Sequence, residues 1–447
     1  MNLSNTVVLD VESYQNYFLV LFKNLNSGKV NGVEARGADA ALSSADVTLL
    51  SKMMQMRVTF GFNSNNFDIP MILYALRGST CSQLKKMCDL IIAEGKPGWM
   101  TEQRFNLSRP SKWQHFDIKE PAPGVMISLK LYGGRMHSRR LQDLPYEPSA
   151  VLTEAEMDAV RDYCENDLDT TIDLYNSIKP QMQLRADMSV TYSTDLMSKS
   201  DAQMAEAVIK MRIRSDAKTK YIKHKSRMDS VTYTAPKYIG FDDQQLNDLL
   251  AILEDSVFKI NAANGAIELP DELKKLTIRM GRSTYKVGIG GLHSTEKAQT
   301  IIPAHDEELI DKDVAAYYPN IILNLGLFPK QIGPRFLKIY KGIVDRRLEA
   351  KRVKDTVTDG SLKIVINGSF GKLGSKWSDL YAPDLMLAVT LTGQLSLLML
   401  IEQIERVGCS VVSANTDGVV ALIPKDRRAD YELICQRWEE WTEFDLE

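Results

Sequence analysis

The chain has 447 residues, of which 44% are hydrophobic and 25% charged, with a formal net charge of -3. That composition excludes a disordered chain, and the length suits two or three domains. A balance so close to neutral does not exclude a nucleic-acid enzyme, because phosphate contacts can be confined to one groove while metal sites require carboxylates.

Residues 6–22, TVVLDVESYQNYFLVLF, read as two short apolar strands joined by a polar turn. Acidic Asp10 and Glu12 interrupt the apolar stretch, so it is not a signal peptide. RVTFG at 57–61 gives another strand, and helical patterns follow around 69–94 and 153–186. Strands followed by helices predict an α/β first domain ending near residue 185. Residues 186–300 are mixed. Within them, 209–228 carry eight Lys or Arg against one Asp, which suits either a solvated basic face or phosphate contact. YKVGIGGLHS (285–294) places three glycines in four residues, as a tight turn or a close backbone approach would require.

From residue 307 a strand runs into DKDVAAYYPNII. Helix-like segments at 335–354 and 361–371, joined by DTVTDG, predict a helical hairpin. The apolar run Leu385 to Ile401 contains Thr390, Thr392, Gly393, Gln394 and Ser396, which suits a buried helix over about 381–405 better than a membrane span. CSVVSANTDGVVALIP reads as a β-hairpin with N-T-D-G at its tip. The five cysteines have no C-x-x-C spacing and the five histidines are scattered, so a zinc site and a disulfide framework are not expected. Reduced thiols in a cytoplasmic protein, with no membrane partner, is the reading that remains.

Two carboxylate clusters stand out. Asp313 ends an apolar strand and Asp417 sits at a hairpin turn, places where a rigid sheet holds catalytic groups. Downstream of Asp313, Arg347 and Lys351 share one helix face, and Lys363 heads the next helix, with Asn367, Phe370 and Gly371 at helical spacing. Two acids facing such a hairpin suit a metal-bound triphosphate: carboxylates hold the ions and cations neutralise pyrophosphate. In the N-terminal part, Asp10 and Glu12 are i and i+2 on one strand and so share a face. Asp68 follows Phe67, and Asp167 lies four residues after Tyr163 on one helix face. Four converging acids repel unless cations bind between them.

These residues carry a resemblance. DKDVAAYYPNII (311–322) resembles motif A of family B DNA polymerases, D-x-x-S-L-Y-P-S. KIVINGSFG (363–371) is similar to motif B, K-x-x-x-N-S-x-Y-G, and SANTDGVV (413–420) to motif C, D-T-D-S, in the family's order. The resemblance implies that Asp313 and Asp417 bind metal, with Val314 beside them. It places Tyr318 under the incoming sugar, Arg347, Lys351 and Lys363 on the triphosphate, and Asn367 and Phe370 in the nucleotide pocket. Six departures stand out: Ala316 for Ser and Tyr317 for Leu in motif A, Gly368 for Ser and Phe370 for Tyr in motif B, and Asn415 for the first Asp and Gly418 for the Ser of motif C.

The N-terminal set resembles the three motifs of proofreading 3′–5′ exonucleases with an RNase H-like fold. There, Asp10, Glu12, Asp68 and Asp167 would hold two metals and Tyr163 would orient the attacking water. Asn63 matches a residue near the primer strand. YKVGIGGLHS resembles the family's Y-x-G-G segment, which implies template contact at Tyr285, Gly290 and Gly291.

The implied architecture is α/β and α+β, multidomain. An exonuclease domain at 1–185 and a connecting, DNA-contacting region at 186–300 precede a palm at 301–447. The palm is an antiparallel sheet with helices, and short helical-hairpin fingers occupy about 335–375. Thirty residues follow Asp417, too few for the family's thumb, so either the sequence is truncated or the gene is split and a separate thumb-bearing chain joins primer–template DNA and dNTPs as a partner. The fifty residues from Asp313 to Lys363 favour a nucleic-acid-primed enzyme of a bacteriophage or mobile element, at work in the host cytoplasm. Two Mg²⁺ per centre, with Mn²⁺ as the substitute, are the expected cofactors. The alternatives are a 3′–5′ exonuclease without polymerisation and a fragment of a split polymerase, inert without its partner.

Overall fold

The first two strands are near-continuous apolar runs, so both faces of their sheet become core. In the computed structural model, which describes residues 6–124, 127–216 and 228–447, the chain divides into two compact units, Met1–Ser200 and Asp201–Glu447. Residues 186–200 pack with the first unit and 201–300 with the second, so the expected boundary near 185 falls inside a helix of unit 1.

In unit 1, β1 (Thr6–Tyr14) and β2 (Tyr17–Asn24) form an antiparallel hairpin, and β3 (Val30–Arg36) pairs with the far edge of β2. Helix α1 (Ser44–Met56), capped by the Ser43 side chain, leads to β4 (Val58–Gly61), which runs parallel to β1. The helical pattern at 69–94 is broken into α2 (Asp68–Ala75) and α3 (Cys81–Glu94). Gly78, at φ 82°, turns the chain between them, and Thr80 with Gln83 builds a capping box for α3. After α4 (Gly98–Arg104), β5 (Gln114–Asp117) runs parallel to β4, giving the sheet order β3-β2-β1-β4-β5. Helices α5 (Leu129–Met136), α6 (Glu154–Ser177) and α7 (Lys179–Thr191) complete the unit.

Period-two alternation in β1 decides which face each residue meets. Val7, Leu9 and Val11 join the apolar cluster that includes α2 and α3 residues, whereas Val8 and Tyr14 join the one that includes Met157, Val160, Cys164 and Leu168 of α6. Asp10 and Glu12 share the parity of Val8, so they face α6.

Unit 2 opens with α8 (Asp201–Asp216); the rest of the basic run, residues 217–227, lies outside the described residues. A ribbon of β6 (Ser230–Thr232) and β7 (Val257–Lys259) flanks α9 (Gln244–Asp255). Short α10 (Asp271–Lys275) precedes a three-stranded sheet of β8 (Ile278–Met280), β9 (Ser283–Lys286) and β10 (His293–Thr295). Strand β11 (Glu307–Asp313) leads to α11 (Tyr317–Asn324), then to the antiparallel pair α12 (Arg335–Arg352) and α13 (Thr356–Leu373). The predicted six-residue connection is shorter than expected: Asp355 caps α13 by accepting the Thr358 N–H, and TVTDG is helical.

Helix α14 (Pro383–Arg406) runs buried through unit 2 and is followed by β12 (Ser410–Ala414), β13 (Gly418–Pro424) and α15 (Arg428–Thr442). Among the described residues α14 is the one helix long and apolar enough to cross a membrane, and most of it is buried inside the protein. Its polar side chains have partners there: Thr392 meets the Tyr233 hydroxyl and Ser396 that of Tyr238. The Trp438 indole donates to the Ser396 carbonyl at 2.7 Å. Leu391, Leu395, Leu397 and Leu398 are fully buried. Truncating any one of them to Ala would cost about 2–5 kcal/mol. Strands order as β11-β13-β12, which sets the end of β11 beside the start of β13.

Candidate metal centres

In unit 1, β1, α2 and α6 bring the four predicted acids together. Asp10, Glu12, Asp68 and Asp167 line one cavity of about 530 Å³, with Asn63 and Lys119 on its wall. A carboxylate oxygen of Asp10, one of Glu12 and the Cys164 sulfur lie within 4.8 Å of one another. The Cys164 thiol donates to Asp10 Oδ2 at 3.5 Å. Tyr163 hydrogen-bonds Asp167 one helical turn on. All five side chains predicted for this centre therefore converge, and Cys164 joins them.

Electrostatics follow from the crowding. Burial, then Asp68, Glu12 and Asp167, hold the Asp10 carboxyl well above the ordinary range. Burial followed by the charges of Asp167 and Asp68 pushes Glu12 up to about 8. Asp68 rises to about 8, chiefly through burial and also through Asp117, and burial lifts Asp167 to about 6. Asp68 Oδ1 is buried with no hydrogen-bond partner, an arrangement that costs free energy unless a counter-charge is supplied. Oxygen-rich and starved of positive charge, this donor set fits divalent cations.

In unit 2, antiparallel pairing aligns Asp313 with Gly418, the residue after Asp417. The Val314 N–H donates to the Asp417 carbonyl at 2.7 Å, fixing the two strand ends together. A Cβ added at Gly418 would stand 1.9 Å from Asp313 Oδ1, so the glycine is the seat of that carboxylate. Asn415 closes the hairpin: its Oδ1 accepts the Gly418 N–H at 3.1 Å and the Asp417 N–H at 3.4 Å. Burial and then Asp417 raise the Asp313 carboxyl, with Asp311 and Glu447 adding to the effect. An acid pair that is mutually repulsive and seated against a glycine fits cations as the first centre does.

One cavity of about 440 Å³ gathers Asp313, Val314 and Asp417 with Tyr318, Arg347, Lys351, Lys363, Asn367 and Phe370. Every residue predicted for the metal and nucleotide site of this unit lines it. Tyr318 packs on Phe370 with ring centroids 4.4 Å apart, so Phe370 supplies a stacking face. Burial, with Asp417 nearby, pushes the Tyr318 hydroxyl up to about 12. Arg347 is braced by Asp359 of α13 at 3.0 Å, and Lys351 pairs with Glu447 at 3.0 Å across exposed surface. Ala316, which caps α11, is held at φ 46°, a strained conformation beside the acids.

The glycine segment is a close approach. A Cβ at Gly291 would lie 2.1 Å from Thr416 Oγ1, at the tip that carries Asp417. Gln394 of α14 clamps the segment, accepting from Gly288 N–H and donating to the carbonyls of Gly288 and Gly290. Tyr285, expected beside a template strand, is instead a core residue at 0% exposure. Its β9 side chain is buried inside the unit. Sequence reasoning also missed residues 445–447: Asp313 and Glu447 exchange backbone hydrogen bonds at 3.0 and 2.8 Å, and Ala315 N–H reaches the Asp445 carbonyl.

No protein-family model and no curated protein matches the chain. Among solved structures the chain is similar to the family B DNA polymerase of the hyperthermophilic archaeon Pyrobaculum calidifontis, with 14% identity and a TM-score of 0.49. That similarity covers 99% of this chain and 56% of the archaeal one, so the chain spans little more than half the length of that polymerase.

Proposed function

We propose that the chain is a DNA-directed DNA polymerase carrying a 3′–5′ proofreading exonuclease, with one carboxylate centre for each activity. The observation that carries the reading is the make-up of the unit 2 cavity. Two acids at adjacent strand ends face three cations on a helical hairpin, with an aromatic pair and Asn367 beside them. Two-metal nucleotidyl transfer needs that division of charge.

Asp313, Val314 and Asp417 would hold Mg²⁺, or Mn²⁺ in its place. Ions held there would supply Lewis-acid activation of the primer 3′-OH and charge neutralisation at the α-phosphate. The chain's own groups do the rest. Arg347, Lys351 and Lys363 bind the triphosphate and receive the leaving pyrophosphate. Tyr318, braced on Phe370, forms the floor beneath the sugar, and the Gly290–Gly291 backbone faces the template.

In unit 1 the strand order β3-β2-β1-β4-β5, antiparallel on one side and parallel on the other, supports the RNase H-like reading. Asp10, Glu12, Asp68 and Asp167 would hold the ions there, and Tyr163, tied to Asp167, would orient the attacking water.

Primer extension with Mg²⁺ and dNTPs tests both halves. Asp313→Ala or Asp417→Ala is expected to abolish extension and leave primer shortening, and Asp10→Ala to do the reverse. Normal extension by Asp417→Ala would refute the polymerase centre. Shortening without extension by the wild type would leave a nuclease alone. Extension that begins only when a thumb-bearing chain is added would identify a split enzyme.

A further inference from the structure

One corner of the unit 1 cavity is built of donors rather than acids. Asn63 sits at φ 59°, a left-handed conformation that Asn tolerates better than most residues. Asp117, at the end of β5 and 4% exposed, pins it there. Its carboxylate accepts the N–H groups of Asn63, Asn65 and Lys119, each at 2.9 Å. The Asp117 N–H in turn donates to Ser198 Oγ at 2.9 Å. A buried carboxylate thus serves as the anchor of a turn and holds two cavity-lining residues in register.

The amide of Asn63 is oriented by the same network. Its Oδ1 accepts from Lys119 Nζ at 3.0 Å and from Asn66 Nδ2 at 2.9 Å. With the oxygen engaged by two donors, the remaining groups of the pair are the Asn63 NH₂ and the further ammonium protons of Lys119. Both residues line the cavity that holds the four acids. One wall therefore suits cations and the other suits an oxyanion, as a phosphodiester lying between metal ions and N–H donors would require.

We propose that Lys119, positioned by Asn63 and Asp117, binds a backbone phosphate of the single strand whose 3′ end enters the unit 1 cavity. This assignment rests on the nuclease reading given above. Lys119 acts on the strand as a phosphate-binding residue, so its removal falls on binding more than on turnover.

The test uses the full chain and a single-stranded oligonucleotide labelled at its 5′ end. Shortening is followed with Mg²⁺, and equilibrium binding by fluorescence anisotropy in Ca²⁺ over a range of salt. Lys119→Met is expected to raise KM and Kd about 10-fold and to change kcat less than about 2-fold. The slope of log Kd against log salt should fall by about 0.7, one phosphate contact on a single strand. Lys119→Arg should restore the slope, which a merely structural role for the side chain would not require. Asn63→Asp, which sets a carboxylate beside the phosphate, should weaken binding with the turn retained. If the wild type neither binds nor shortens the strand, the nuclease reading itself fails. If it does both and Lys119→Met keeps the wild-type Kd and slope, the Lys119 assignment is overturned.

Discussion

Gly418 pairs with Asp313 across the β11–β13 ladder, and a single Cβ there would stand 1.9 Å from Asp313 Oδ1. The motif that this hairpin resembles carries Ser where Gly418 stands, so the departure has a steric consequence. Gly418→Ser restores the usual residue and is nevertheless expected to lower primer extension. The clashing atom ends a short side chain, so Asp313 rotates away while the fold survives. A displacement of about 1 Å in a metal-binding carboxylate costs about 10²-fold in rate. Extension kinetics beside a thermal melt check this; an unchanged extension rate would show that Asp313 does not need that seat.

The metal binding proposed for unit 1 would have a pH signature. The Glu12 and Asp68 carboxyls are pushed to about 8 in the folded protein, above the ordinary carboxylate range. A raised folded value means that the native state holds protons which the unfolded chain has released. Stability from these groups is therefore full at low pH and is lost as pH rises through about 8. A divalent cation must displace those protons, so it binds better where they have left. In thermal melts Mg²⁺ or Mn²⁺ is expected to stabilise the protein more at pH 8 than at pH 6, and EDTA to reverse the effect. Asp10→Ala should abolish the difference. Equal stabilisation at both pH values would count against carboxylate ligation.

Much of both centres was legible because their residues violate a pattern or match a motif. Acids at alternate positions of an otherwise apolar β1 have no structural use in a core strand, and so they stand out. Strand β11, expected to be apolar, is instead half-exposed and rich in acids, so Asp313 is marked by its motif and not by a broken apolar pattern. Asp117 and Lys119 gave no such signal. Their meaning depends on β5 lying beside β4, a tertiary pairing that an ordinary D-I-K does not announce. Cys164 fell under the general reading of reduced thiols, although its place three residues before Asp167 on α6 already set it on the side of that acid. Tyr285 erred the other way: a motif tyrosine was given to the template when its strand parity buries it. The pairing of 445–447 with the end of β11 spans too few residues to show a period.

Protonation of His115 should destabilise unit 1 in acid. Burial, with Arg109 nearby, holds its imidazole down at about 3, and the neutral ring bridges Thr59 Oγ1 and Ser64 Oγ, both at 2.9 Å. A depressed folded value means that the unfolded chain takes up the proton first. Stability from this group is full above about 6.5 and is lost as pH falls towards 3, at up to about 1.4 kcal/mol per pH unit. His115→Gln keeps an amide where the ring was and carries no such proton. Its stability deficit relative to wild type should therefore shrink between pH 6.5 and pH 4. A deficit that is constant across that range in urea melts would place the protonation elsewhere.

Gly368 separates a packing role from a catalytic one. It stands where the resembled motif has Ser, on the face of α13 against α8, whereas Lys363 and Asn367 line the cavity that holds Asp313 and Asp417. A Cβ at 368 would lie 2.8 Å from Ala205 Cβ and 3.0 Å from both Ala202 Cα and the Asp201 carbonyl. Two of those atoms are backbone, so no side-chain rotation relieves the contact, and the helices must part. Overpacking of this kind costs about 1–3 kcal/mol. Gly368→Ser is accordingly expected to lower the unfolding free energy of unit 2, read from denaturant melts, by that amount. Extension per folded molecule should fall as well, because α13 carries Lys363, and a shift of the helix would move the cation proposed to hold the triphosphate. Full stability in Gly368→Ser would mean that α8 and α13 can separate without cost, and the helix contact would not then explain the glycine.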